Sequence, residues 1–329
     1  LLLLLCLCGV APSRLTTIAI LTPEAGIDYG WNQQGIAAAK AAAAAAGLKI
    51  MVADNLGYGD IRATMRELAE DGAGLLIAHA SGYNTAAPEI AAETGVPVAI
   101  VDRPGALFAG RVADYTTNGA EGAYLAGVLA ARMSRSGILG IVVSGEPPSW
   151  NAQSVAFIQG ARVEKPTVTV RYAVIGPDAY ADAAGARRVT EAVIAAGADI
   201  IFGQGNGSTF GMMLAVETAH PAHGGPVYFI DVIGDKRPMD NGELLSSVYW
   251  NLEPVYAAMI ADVRAGRFGT HNYAIKLADG SVSLLRTKHI PDDVWAHVES
   301  VRQQIIAGKI VVKPEFDAGA VHTLLSRTP

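Results

Sequence analysis

The 329-residue sequence predicts an α/β protein built from two Rossmann-like lobes, and three observations lead there. Short apolar runs alternate with longer helical patterns, as in parallel sheets covered by helices on both faces. The alternation ends near residue 102 and begins again near residue 122. The halves also repeat each other: DGAGLLIAHASGYNT at 71–85 parallels AGADIIFGQGNGST at 196–209, and GVPVAIVD at 95–102 parallels GPVYFID at 225–231. In each half a strand runs into a Gly/Ser/Asn loop before a helix, and a later strand ends in Asp. Ligands of such sheets bind at the carboxyl ends of the strands. The repeat therefore predicts a cleft lined by post-strand loops from both lobes.

The first predicted strand covers residues 18–21. A loop at 22–30, with Pro23, Gly26 and Gly30, leads into a helix that begins near Trp31 and is almost pure alanine over 37–46. Asp28 and Asn32, four residues apart, face one cavity if this helix starts early, with the flat apolar surface of Trp31 beside them. The competing reading makes Asp28 a helix cap and turns Trp31 inward. Strands at 49–53, 75–78 and 98–101 alternate with helices at 61–70 and 86–93. The second half offers helices at 122–133, 151–162, 181–196 and 209–219, with strands at 138–143, 168–174, 200–202 and 227–230. The tail reads as a strand at 244–248, a helix at 254–265, a hairpin of 273–277 with 282–285 around Asp279-Gly280, and a helix at 292–307. The expected organisation is a leader at 1–14, a first lobe of 15–117 and 244–270, and a second lobe of 118–243 and 271–329. Three crossings between lobes make a hinge.

Composition narrows the function. The chain is 51% hydrophobic and 17% charged, with a net charge of −6, so it is globular and carries no basic run for nucleic acid. Residues 1–7, LLLLLCL, read as the apolar part of a secretory signal peptide, with cleavage near Ala11. That run is too short to span a bilayer, and no later segment reaches spanning length. Both cysteines, Cys6 and Cys8, fall in this leader. The expectation is a periplasmic or extracytoplasmic protein. Lipidation of a cysteine is the weaker option, because Leu5 and Leu7 stand where a lipoprotein signal prefers a small residue.

No catalytic constellation assembles. GQGNG at 203–207 imitates a dinucleotide fingerprint, but Ser208 stands where the third glycine should pack. His220 and His223 sit in a Pro/Gly-rich connection with no carboxylates to complete a metal site. Neither a GxSxG elbow nor a Walker loop occurs. The expectation is a binder with no cofactor, metal or catalytic residue. Aromatic residues recur at the predicted cleft loops: Trp31, Tyr83, Tyr115, Trp150 and Trp250. Ser81, Asn206 and Asp231, from the repeated loops and strand ends, join them as candidate ligand contacts. Stacking rings with a few orienting polar groups suit a planar ligand.

Four stretches carry a family resemblance: GIDYGWNQQG at 26–35, EGAYLAGVLAA at 121–131, ADIIFGQGNGSTFGMMLA at 198–215 and LLSSVYWNLEPVYAAMIADVRAGRF at 244–268. From about residue 16 to 313 the chain resembles the basic membrane protein family of ABC-transporter substrate-binding proteins, which includes spirochaetal purine nucleoside receptors and Med-like proteins. The resemblance implies the type I periplasmic-binding-protein fold, a monomer that serves an ABC permease, and a purine nucleoside or base as ligand. It implies that Asp28 contacts the purine edge, with Asn32 beside it. Where the nucleoside receptors carry an Asp and a Lys near the ribose, this chain reads IDVIGDK and SSVYWN, with Ile233 and Trp250 in those places. A free base or another planar solute therefore stands level with a nucleoside. A nucleoside-processing enzyme and a ligand sensor are the alternatives for the same cleft. A repressor-type sensor would carry a basic helix-turn-helix ahead of residue 16, where the leucine-rich leader stands.

Overall fold

The computed structural model describes residues 15–177, 179–221 and 224–326. The expected leader, with Cys6 and Cys8, and the loop residue His223 lie outside the described residues. The first half contains β1 (Thr17–Leu21), α1 (Trp31–Ala45), β2 (Lys49–Ala53), α2 (Arg62–Glu70), β3 (Leu76–Ala78), α3 (Ala86–Thr94), β4 (Val98–Val101) and β5 (Val112–Thr116). The second contains α4 (Ala120–Met133), β6 (Ile138–Val143), α5 (Pro148–Glu164), β7 (Thr169–Val174), α6 (Ala183–Ala195), β8 (Ile200–Gln204), α7 (Thr209–Glu217) and β9 (Tyr228–Ile233). The tail adds β10 (Leu244–Trp250), α8 (Glu253–Ala265), β11 (Tyr273–Ala274), β12 (Val282–Leu284), α9 (Asp292–Ile306) and α10 (Ala318–Ser326).

Two six-stranded sheets result, ordered β11-β5-β4-β3-β1-β2 and β12-β10-β9-β8-β6-β7. All pairings are parallel except that of β10 with β12. β1 is buried at every residue, as a strand covered on both faces must be. The alanines of α1 favour helix and keep its surface low, so it packs directly on α8, where the Arg264 guanidinium donates to the Ala46 carbonyl at 2.8 Å.

The tail differs from the sequence expectation. Residues 244–265 do not return to the first lobe as a unit. Their strand, β10, lies in the second sheet between β9 and β12, and only α8 packs on the first lobe, against α1. The expected hairpin at 273–285 is also corrected: β11 extends the first sheet beside β5, while β12 closes the second sheet beside β10. Apolar strand sequences specify burial but not which sheet supplies the partner. The chain still passes between the sheets three times, after β5, after β10 and after β11. β5 and α10 were not anticipated. In VADYT the strand pattern is masked by Asp114, which is buried because its carboxylate accepts from the Arg103 amide at 2.6 Å and the Thr116 hydroxyl at 2.9 Å.

α4 follows the first passage and is buried from Ala120 to Ala131 apart from Glu121, consistent with a helix apolar all round. It lies against α5 through a pair of glycines. A methyl on Gly127 would stand 2.1 Å from the Phe157 carbonyl oxygen, and one on Gly160 would stand 2.1 Å from that of Tyr124. Both obstacles are backbone, so a side chain there must push the helices apart. Gly160→Ala is expected to lower unfolding stability by about 1–3 kcal/mol in urea denaturation. An unchanged midpoint would mean that the helix pair has room to spare.

Candidate functional site

Between the sheets lies a cavity of about 290 Å³, at the lower end of small-molecule sites. The loop after β1 and the start of α1 bring Trp31 to one wall. Trp31 is locked from behind by His79, which follows β3. The two rings stack at 3.8 Å and 9°, and their main chains and rings bond reciprocally. The Trp31 indole N–H donates to the His79 carbonyl at 2.9 Å, and His79 Nε2 lies 2.9 Å from the Trp31 carbonyl. A carbonyl only accepts, so the proton sits on Nε2. His79 Nδ1 is then an acceptor, 2.6 Å from the Tyr115 hydroxyl and 3.0 Å from that of Tyr256. Complete burial lowers the His79 pKa to about 4, which keeps the ring neutral and this pattern intact at neutral pH. Gly35 leaves room for the ring: a methyl there would lie 2.3 Å from Nε2.

The opposite wall comes from the second lobe. Trp250, at the end of β10, meets Trp31 edge to face at 6.3 Å and 86°. Trp150 reaches the cavity because α5 starts three residues earlier than expected, with Pro148 in its first turn, and it packs edge to face on Tyr180 at 5.4 Å. Asn206, in the loop after β8, and Ser81, in the matching loop after β3, also line the cavity.

Five of the expected contacts therefore line the cavity: Trp31, Ser81, Trp150, Asn206 and Trp250. The other five stand outside the lining. Asp28 is a capping residue. Its carboxylate accepts from the amides of Gly30, Asn32 and Gln33 at 3.0, 3.0 and 2.9 Å and from the Asn32 side chain at 2.8 Å. Those four bonds use the carboxylate's lone pairs, leaving none for a ligand N–H. Asn32 is buried in the same network, its carbonyl oxygen accepting from the Glu24 amide. Tyr83 is fully buried and donates to the Gly57 carbonyl at 2.5 Å, and Tyr115 stands behind His79. Asp231 is buried in an ion pair with Lys236 at 2.6 Å.

The residue that sequence reasoning passed over is Asp102, which directly follows β4. Among the described residues it is the one charged side chain on the lining. It accepts from the Thr117 amide and the Thr117 hydroxyl, each at 2.7 Å, one on each carboxylate oxygen, so acceptor capacity remains on both. Burial raises its pKa to about 6, against the Thr117 hydrogen bonds and with help from Asp114. The internal repeat held the signal, since Asp102 and Asp231 occupy matching positions in the repeated sequences, but the pattern could not tell that Asp102 follows its strand and faces the cavity while Asp231 stays inside β9. Strain concentrates here as well. Tyr29, Asp102, Asn206 and Ile233 have φ of +49°, +52°, +53° and +72°. For β-branched Ile233, which lines the cavity, that region is a genuine outlier, and such strain collects at functional sites.

Comparison with known proteins agrees with this architecture. The family described as ABC transporter substrate-binding protein PnrA-like matches residues 15–315. A purine-binding protein of Brucella abortus is 26% identical over 286 residues, covering 86% of this chain and 79% of that protein. Among solved structures, an ABC transporter solute-binding protein from Aeropyrum pernix superposes with a TM-score of 0.76 at 17% identity, over 94% of this chain and 96% of the other. A transcriptional activator of the comK gene from Bacillus halodurans gives 0.77 at 16%, over 90% and 99%. At such identities the structural likeness speaks for the two-lobed fold alone.

The raised pKa of Asp102 sets a pH dependence. The unfolded carboxyl titrates near 3.8 and the folded one near 6, so above pH 6 the folded state carries a buried charge at a cost of about 3 kcal/mol. As pH falls from 6 toward 4 the folded state binds the proton first, and this cost disappears. Asp102→Asn, which suits the left-handed backbone there, is expected to be more stable than wild type at pH 7 by up to that amount, with the difference vanishing by pH 4. Urea unfolding of both proteins across this range checks it, and a pH-independent difference would contradict it.

Proposed function

The chain belongs to the family of PnrA-like ABC transporter substrate-binding proteins, and from that premise we propose that its cleft captures a purine base outside the cytoplasm for an importer. The family's members are substrate-binding proteins rather than enzymes. Among the described residues no helix is long and apolar enough to cross a membrane. The observation that carries the ligand assignment is the pairing of aromatic walls with a single carboxylate. Trp31, backed on one face by His79, and Trp250, perpendicular to it at 6.3 Å, give the cavity two aromatic walls at right angles. Asp102 offers acceptors to a ring or exocyclic N–H, the role first expected of Asp28. The name of the Brucella relative supports the same class of ligand.

A base fits better than its nucleoside. Ile233 and Trp250 put apolar groups on the lining where the nucleoside receptors carry an Asp and a Lys, and a hydroxyl-rich sugar needs partners when desolvated. Two lobes joined by three passages close over the ligand and hand it on when they open.

Calorimetry with adenine, guanine, their nucleosides, free ribose and an amino-acid panel tests this reading. A base is expected to bind at least as tightly as its nucleoside. Asp102→Ala should weaken binding about tenfold to a hundredfold, from the loss of a charge-assisted hydrogen bond. Tight binding of a sugar or an aliphatic amino acid, indifferent to Asp102, would remove the purine assignment.

A further inference from the structure

Lys236 follows β9 in the second lobe and is 1% exposed, as is its partner Asp231. Its ammonium lies 2.6 Å from the Asp231 carboxylate and donates at 2.5 Å to the main-chain carbonyl of Tyr29 in the first lobe. The Thr209 hydroxyl donates to the other Asp231 oxygen at 3.1 Å. One side of the ammonium is thus anchored in its own lobe while another grips the opposite lobe. We propose that Lys236 is a latch between the lobes, a positioning residue that sets the balance between open and closed cleft without touching the ligand.

The surroundings are shaped for this contact. A methyl on Gly234 would lie 1.8 Å from the Tyr29 carbonyl oxygen, so the two loops meet backbone to backbone. Tyr29 and Ile233, which flank the meeting point, both have positive φ. The same loop is held at a second point, where Asn206 Oδ1 accepts the Trp31 amide at 3.1 Å. Neither Asp231 nor Lys236 lines the cavity, so the latch acts on the position of the lobes rather than on binding chemistry. Opening takes the Tyr29 carbonyl away from an ammonium that is otherwise buried. Because observed affinity scales with the closed, binding-competent fraction, the latch tunes affinity for whatever solute the cleft takes.

The test uses ligand-free protein and is independent of the purine reading. The Trp31 amide is the first of α1 and has no acceptor within its helix, so its exchange with solvent deuterium reports separation of the lobes directly. The Ala19 amide, bonded to the Leu75 carbonyl at 2.8 Å inside the first sheet, reports the integrity of that lobe. Removing Lys236 alone would strand the Asp231 charge, so the variant is Asp231→Asn with Lys236→Met. Trp31 exchange is expected to accelerate about tenfold to a hundredfold, the weight of one charge-assisted hydrogen bond, with Ala19 little changed. Unchanged exchange at Trp31 would overturn the proposal. Equal acceleration at both amides would also overturn it, because the pair would then hold the fold together rather than lobe to lobe.

Discussion

The first turn of a helix presents backbone N–H groups that no residue within the helix can accept, and in α1 that requirement organises the molecule. Asp28 takes the amides of Gly30, Asn32 and Gln33 from within the first lobe. The remaining donor, the Trp31 amide, is taken by Asn206 from the second lobe. One helix end therefore fixes the orientation of the stacking ring and ties the lobes together. The carboxylate expected at the ligand is committed to the backbone, and a different carboxylate, Asp102, faces the cavity.

Behind Trp31 the site depends on neutral groups held in place by burial. A charged His79 would have no acceptor for a proton on Nδ1 other than tyrosine hydroxyls, and desolvation keeps it neutral. The Tyr115 and Tyr256 hydroxyls that face it come from β5 and α8, the elements on either side of two of the passages between sheets. The Trp31 ring is thus packed, through His79, onto the segments that any lobe motion must bend.

The strained residues fall into the same region. Asn206 and Asp102 are residue types that tolerate left-handed backbone, whereas Ile233 is not, and its conformation persists because the strand before it and Gly234 after it are held tightly. The buried pair of Asp231 and Lys236 is costly to desolvate, which makes it a poor source of stability.

By itself the sequence determined the fold class, the two-lobe repeat and nearly every helix and strand up to residue 230, because apolar periodicity and turn residues act locally. It also marked Trp31, Ser81, Trp150, Asn206 and Trp250, since the loops after strands must face the cleft in any sheet of this kind. Local patterns could not assign β10 to the second sheet or separate β11 from β12, because strand pairing depends on chain segments far apart. Nor could they find β5, whose buried Asp114 is satisfied by partners invisible in a hydrophobic pattern. The roles of Asp28, Asp102 and Asp231 were decided only in three dimensions. A carboxylate serves as cap, cavity-lining acceptor or ion-pair partner according to which donors the folded chain brings within about 3 Å of it, and spacing along the sequence does not encode that distance.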